Sequence, residues 1–195
     1  MKLDNAIDID ALPEVYNPSD DSYLLLEVVD VLPGQRFLDM GSGTGILGIH
    51  AARQGAKVTA SDINPHAVEC TRQNALKNNA SIGVIRGDLF EGIKDDFDVI
   101  AFNPPYLPGK AASTSWIEKA WSGGEDGGEI AVRFLAEAWR HLAPGGSVYL
   151  ILSSLGGLTS VLKSAKERYE AEMLAEKRMF FESIFAFKFK PRVGI

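Results

Sequence analysis

One cysteine, Cys70, stands in 195 residues, which rules out a disulfide within the chain and any cysteine-built metal centre. Long apolar runs are missing too, and nothing approaches the roughly 20 residues that a membrane-crossing helix needs. The first residues, Met1 to Ala11, are polar and acidic, unlike the basic-then-apolar pattern of a secretory leader. The expectation is a soluble, cytoplasmic chain. Dense Lys/Arg blocks are absent and the net charge is −6. Proteins that hold duplex nucleic acid rely on basic patches to neutralise phosphate, so direct nucleic-acid binding is not expected. The tail Lys188-Phe189-Lys190-Pro191-Arg192 is basic, but its alternation reads as a solvated edge strand. His50, His66 and His141 are scattered on or beside helices and read as surface or capping residues, so no metal is expected in this chain. Repeats, low-complexity tracts and linkers are also missing. An apolar content of 46% supports one domain over residues 1–195, with 1–14 as a flexible lead-in.

What is present alternates between strand and helix. Leu24, Leu25, Val28, Val29 and Leu32 recur at helical spacing over Ser22–Leu32, and Pro33-Gly34 stops that helix. Strand Arg36–Met40, helix Gly45–Gln54, strand Lys57–Ser61 and helix Pro65–Lys77 follow, the last with Asn64 at its cap and Pro65 in its first turn. Short strands are predicted over Gly83–Arg86 and Asp98–Phe102. A glycine-rich loop, Leu107–Gly128, is long for a compact domain and reads as functional, closing over a substrate. Helix Glu129–Leu142 ends at Pro144-Gly145-Gly146, ahead of strand Ser147–Leu152 and helix Leu158–Glu167. Strand-like stretches around Tyr169–Ala175 and Ser183–Phe189 have only a short connection between them. The alternation implies an α/β, doubly wound, mostly parallel seven-stranded sheet with helices on both faces and an antiparallel C-terminal hairpin. Trp116, Trp121 and Trp139 read as core or as a partner surface, with core the default, and Cys70 as packed within its helix.

Two motifs carry chemistry. Leu38-Asp39-Met40-Gly41-Ser42-Gly43-Thr44-Gly45 closes the first strand with a turn in which Gly41, Gly43 and Gly45 let backbone approach a ligand. In open sheets of this kind ligands bind beyond the carboxyl ends of the strands. A dinucleotide fingerprint needs glycine where Ile46 stands, and Asp39 would oppose a pyrophosphate. The same carboxylate suits a cofactor that carries an ammonium and a sulfonium, S-adenosylmethionine. Asp62, with Ile63 beside it, ends the second strand, where an acid can accept from both ribose hydroxyls. Asp88-Leu89 follows the third, where a carboxylate can accept from the adenine amine and the next N–H can reach a ring nitrogen. Each acid alone would read as a turn or a cap; three behind one glycine loop read as a cofactor site.

The second motif, Asn103-Pro104-Pro105-Tyr106, follows the fourth strand. An amide nitrogen is a poor nucleophile because its lone pair is delocalised, so an enzyme must orient the NH2 and let that lone pair develop. The Asn103 oxygen can accept one N–H and the Pro104 carbonyl the other, with Pro104 and Pro105 fixing φ and Tyr106 packing on the flat group or walling the pocket. Positioning and preorganised dipoles then carry the rate. In isolation Asn-Pro-Pro is an ordinary turn. The pair of motifs points to methyl transfer onto an amide or an aromatic amine.

With these residues, the chain resembles the HemK-type glutamine methyltransferases, nearest to their short archaeal and eukaryotic branch, from about Val15 to Lys188. Val15-Tyr16-Asn17-Pro18-Ser19-Asp20-Asp21-Ser22-Tyr23-Leu24-Leu25-Leu26 is similar to that branch's N-terminal segment, and Ala120-Trp121-Ser122-Gly123-Gly124 to its loop after the catalytic turn. The resemblance implies a class I methyltransferase that modifies the Gly-Gly-Gln glutamine of class 1 release factors. It implies Ser22 near the cofactor, Asp39 and Gly41 at its methionine end, Asp62 on the ribose, Asp88 and Leu89 on the adenine, and Asn103 to Tyr106 on the target amide. It also implies a small zinc-binding activator subunit paired against a sheet edge; Ile82-Gly83-Val84-Ile85, beside helix Pro65–Lys77, offers an apolar edge strand. Asn17, Ser19-Asp20 and Glu125 depart from the family pattern. A nucleic-acid amino-methyltransferase is the alternative within the same chemistry, and a nicotinamide oxidoreductase or an inactive cofactor-binding scaffold stand outside it.

Overall fold

Phe37-Leu38-Asp39-Met40 and Val99-Ile100-Ala101-Phe102 are almost continuously apolar, and this is the composition of strands covered on both faces. In the computed structural model, which describes residues 1–109 and 115–192, they are the central strands β1 (Arg36–Met40) and β4 (Phe97–Phe102) of one seven-stranded sheet. Around them lie β2 (Lys57–Asp62), β3 (Ile82–Arg86), β5 (Leu142–Ser153), β6 (Tyr169–Arg178) and β7 (Ser183–Pro191), in the order β3-β2-β1-β4-β5-β7-β6. The first five are parallel and β7 runs antiparallel to both of its neighbours. Alternate residues of a strand face opposite sides, and here they feed two cores. Leu38, Met40, Ile100, Phe102 and Leu150 pack with Phe134 and Val161. Phe37, Val99, Ala101, Tyr149 and Ile151 pack with Leu25 and Leu47 on the other side.

The helices are α1 (Asp20–Val28), α2 (Ile46–Arg53), α3 (Pro65–Lys77), the short α4 (Trp116–Lys119), α5 (Glu129–Ala138) and α6 (Leu158–Ala165). In α3 the expectation holds residue for residue: Asn64 caps it by accepting from the His66 N–H at 2.9 Å, with Pro65 in the first turn. Elsewhere tertiary packing moved the ends. The helix expected over Ser22–Leu32 stops at Val28, because Val29 and Val31 bury their side chains from extended chain. The expected helix over Glu129–Leu142 ends at Ala138 in a 3-10 turn, and β5 starts at Leu142. Pro144-Gly145-Gly146 is a bulge inside that strand, with Phe97 paired to Leu142 and Val99 already to Ser147. Gly145 takes φ +80, and a Cβ on Gly146 would lie 2.9 Å from the Phe97 carbonyl oxygen, so the kink needs glycine.

Residues 1–14, expected to be flexible, are hydrogen-bonded to the body of the protein. The Met1 ammonium donates to the Leu26 carbonyl at 2.9 Å. Asp8 and Asp10 donate their N–H groups to the side chains of Asn78 and Asn74, and those amides donate back to the Asp8 and Asp10 carbonyls. Two-faced amides spaced for one helix face made this docking possible, and no periodicity signals it. His50, expected at the surface, is buried, with Nδ1 2.8 Å from the Ile46 carbonyl. The tryptophans are not core residues: Trp121 is exposed, Trp116 is half-buried, and half-buried Trp139 carries the guanidinium groups of Arg140 and Arg168 on its ring. Among the described residues no helix is long and apolar enough to cross a membrane.

Replacing both Asn74 and Asn78 by Ala leaves two backbone N–H groups unpaired and detaches the N-terminal segment. The expected outcome is about 2–4 kcal/mol of lost stability, with amide-exchange protection lost at Asp8 and Asp10. Unchanged protection there would show that the segment is held by something else.

Candidate functional site

β1 is joined on one side to β2 and on the other to β4, so the winding of the chain reverses beside it, and ligand crevices open at such a reversal. A cavity of about 490 Å³ occupies that place. Ser22, Asp39, Gly41, Gly43, Asp62, Ile63, Asp88, Leu89, Asn103 and Pro105 line it. Three of the residues expected at the site stand back from the lining. Gly45 takes φ +82 at the cap of α2; Pro104 is buried behind the turn; Tyr106 points elsewhere.

The glycine loop is knitted to β2 and α3. Gly41, Gly43 and Gly45 all have positive φ, and a Cβ on Gly41 would meet the Phe102 ring at 2.8 Å, so neither the turn nor the approach to β4 tolerates a side chain. The Gly43 N–H donates to Asp62 Oδ2 at 2.9 Å, and Thr71 Oγ1 donates to the Gly43 carbonyl. Asp39 lies beneath the loop, buried, accepting the Gly48 N–H of α2 at 2.8 Å. Burial pushes its carboxyl up to about 8, the Asp62 charge adding to the rise and the Gly48 bond opposing it. Asp62 is also raised by burial, against three backbone N–H bonds from Gly43, Asn64 and Ile63. Two acids held uncomfortably in one crevice are what a cationic ligand relieves.

Asp88 is exposed and paired with Arg133 Nη2 of α5 at 2.8 Å. Leu89 beside it has φ +51, a left-handed conformation that costs a branched side chain on the order of 1 kcal/mol and sets its backbone at the cavity wall. Asn103 follows β4, with its Oδ1 buried and without a hydrogen-bond partner among the described residues. An unpaired buried carbonyl costs about 1–3 kcal/mol, and a ligand N–H in the cavity would recover it.

Tyr106, expected to pack on the target or wall the pocket, turns its hydroxyl to α1 instead and donates to Asp21 Oδ2 at 3.0 Å. Asp21 is buried and accepts also from the Tyr16 hydroxyl and the Ser22 N–H. Burial and this carboxylate raise Tyr16 to about 12 and push Tyr106 higher still. Asp21 thus ties α1 to the last residue of the Asn103–Tyr106 turn, across 85 positions of chain. A Cβ on Gly156 would lie 1.7 Å from the Tyr106 carbonyl oxygen, so the turn is clamped from the β5 side as well. Asp21 and Arg133 are the participants that residue spacing did not single out. Of the long loop, residues 110–114 lie outside the described part. Its remainder forms wall, with Trp116 and Lys119 lining the cavity and the Trp116 N–H donating to Glu14 Oε2.

The order 3-2-1-4-5-7-6, with the last strand reversed between β5 and β6, is the sheet of the class I S-adenosylmethionine-dependent methyltransferases, and the chain is a protein of that class. Residues 17–181 match the methyltransferase small domain family. The N5-glutamine methyltransferase candidate of Methanocaldococcus jannaschii is 40% identical over 88% of this chain and 89% of its own length. Methyltransferase HEMK2 of Mus musculus is 32% identical over 81% of this chain and 80% of its own. Among solved structures, a chain of the E. cuniculi Mtq2–Trm112 complex, responsible for methylating the termination factor eRF1, superposes with a TM-score of 0.74 at 25% identity, over 92% of this chain and 99% of that one. The chain therefore belongs to the methyltransferase small domain family, among its HemK-type glutamine methyltransferases.

Two outcomes test the electrostatics and the clamp. The folded chain holds the Asp39 proton up to about pH 8 and the ordinary value is 3.8; between these the unfolded chain binds fewer protons, so stability falls as pH rises. The slope for one proton is at most about 1.4 kcal/mol per pH unit. Asp39→Asn keeps an acceptor for Gly48 and is expected to flatten that fall in denaturant titrations of the free protein; an equal fall in both proteins would remove Asp39 as its cause. Tyr106→Phe and Asp21→Asn each break the clamp with little change of volume. Each is expected to lower kcat about tenfold, and the double variant scarcely further. Additive losses would mean that the two side chains act separately.

Proposed function

We propose that this chain is a cytoplasmic enzyme that transfers the methyl group of S-adenosylmethionine to the side-chain amide nitrogen of a glutamine, in the Gly-Gly-Gln motif of a class 1 release factor. The observation that carries the reading is the buried, unpartnered Asn103 Oδ1, on a residue that directly follows the strand paired with β1 and lines the cavity beside the glycine loop. The names of the relatives, an N5-glutamine methyltransferase and a complex that methylates a termination factor, support the same target.

The residues fit the cofactor. The raised Asp39 and the open glycine backbone suit its ammonium and methionine end, Ser22 stands near, Asp62 with Ile63 suits the ribose, and Asp88 with Leu89 suits the adenine. When bound, S-adenosylmethionine supplies an electrophilic methyl group. Asn103 accepts one N–H of the glutamine amide, which turns the nitrogen lone pair toward the methyl carbon; the Pro104 carbonyl, the acceptor expected for the other N–H, stands back from the cavity lining in the free chain. Pro104 and Pro105 hold that carbonyl in place, and Asp21 holds the turn through Tyr106. The methyl group would pass from sulfur to this nitrogen, with S-adenosylhomocysteine as the leaving group, and the nitrogen would then release one proton to water.

A small zinc-binding activator subunit is part of the proposal. The edge strand β3 (Ile82–Arg86) is partly exposed, and Leu76 on the adjacent α3 is exposed, an edge suited to an added strand.

The deciding measurement is transfer of labelled methyl to a release factor from the same source, with and without the activator, beside a factor whose Gly-Gly-Gln glutamine is replaced. Label is expected on the intact motif only. Asn103→Ala is expected to reduce transfer about 10²–10³-fold with the cofactor Kd nearly unchanged. Label appearing on added RNA and not on the factor would overturn the reading in favour of an exocyclic amine.

A further inference from the structure

The tip of the β6–β7 hairpin has no structural reason to be apolar. Phe180 and Phe181 are 92% and 84% exposed, with Met179 at 43%, and the two rings meet edge to face. Exposing a large apolar side chain on a turn gives the fold nothing, and contiguous apolar patches of this kind mark contact surfaces.

The position of the tip decides what it contacts. β7 runs antiparallel to β5, so its first residue stands beside the last residues of β5, at the end of the sheet where the cavity opens. Glu182 accepts from Ser153 Oγ at 2.8 Å, and Ser183 and Ser154 exchange two hydrogen bonds. Exposed Leu155 follows, and Gly156 is the residue that clamps Tyr106. The tip is therefore linked to the Asn103–Tyr106 turn through Glu182, Ser153 and the short stretch of chain to Gly156. Charged groups rim it: Lys177 pairs with Asp20 at 2.8 Å and Arg178 with Glu176 at 3.0 Å. An apolar centre with a charged rim is the anatomy of a protein-docking patch.

We propose that Phe180 and Phe181, with Met179 and Leu155, dock the protein that carries the target amide, entering an apolar cleft on its surface while its glutamine loop reaches Asn103. This rests on the function proposed above. One glutamine side chain preceded by two glycines offers little area for selection, so recognition needs contacts outside the cavity. Two phenylalanines bury roughly 150–250 Å² each, a sizeable part of the roughly 800 Å² per partner of a standard interface, which suits a product that must leave. A second copy packed on the same residues would stand over the mouth and exclude a protein substrate.

The test is the Phe180→Ser, Phe181→Ser double variant, assayed with its activator subunit on the intact release factor and on a short peptide containing Gly-Gly-Gln. Both side chains are exposed, so the fold and the cofactor Kd are expected to be unchanged. KM for the intact factor is expected to rise at least tenfold, with kcat at saturation and transfer to the peptide unaltered. Equal KM for variant and wild type overturns the docking proposal alone. Loss of a concentration-dependent dimer, or of the activator, with unchanged KM also overturns it, by giving the tip another occupant. Absence of transfer by the wild-type chain overturns the reading of the site, and the docking proposal with it.

Discussion

Everything at the site depends on the pairing of β1 with β4. Asp39 lies opposite Ala101 and Met40 opposite Phe102, so both strands stop at the same level and release their turns side by side. The pairing is possible because both strands are apolar on both faces and helices cover each side. Phe102 then packs so close to Gly41 that no side chain fits between. The glycine turn and the Asn103 turn are thereby held at fixed separation by backbone hydrogen bonds and one aromatic ring, with no loop needing to move to bring them together.

Around that pairing the protein keeps polar groups in states that a ligand would improve. Asp39 and Asp62 are acids in a crevice that disfavours their charge, and Asn103 holds a carbonyl with nothing to accept. Such groups destabilise the free chain and are tolerated because the sheet beneath them is thoroughly buried. The same groups are preorganised for a cation and an N–H, so little reorganisation is required when these arrive. Asp21 belongs to this design in the opposite sense: it is fully satisfied, and its role is to stop the Tyr106 end of the turn from relaxing.

The sheet and the lining were legible in the sequence to the extent that local chemistry determines them. Strand–helix alternation gave the layers, Asn64-Pro65 gave the start of α3, and the acids and glycines after three successive strands gave the cavity wall. What was not legible depended on contacts distant along the chain. The Asp21–Tyr106 bond joins residues that no spacing relates, and it drew Tyr106 away from the pocket that its motif suggested. Asn74 and Asn78 read as ordinary helix residues until the N-terminal chain lies against them. Pro144-Gly145-Gly146 read as a stop, because proline and glycine mark strand bulges and loop turns alike.

β7 enters the sheet between β5 and β6, although it is the last strand in sequence. β5 carries Val148 to Leu152, all buried, and one of its edges stays open until residues 183–191 have been made. During synthesis this buried, apolar strand thus keeps one edge unpaired until β6 and the following turn have been made. Any stop or frameshift upstream of Ser183 would leave a nearly complete nucleotide crevice beside a naked, sticky strand edge. Closure of the sheet therefore depends on the nine residues of β7, which cover an edge that would otherwise be free to pair with another chain.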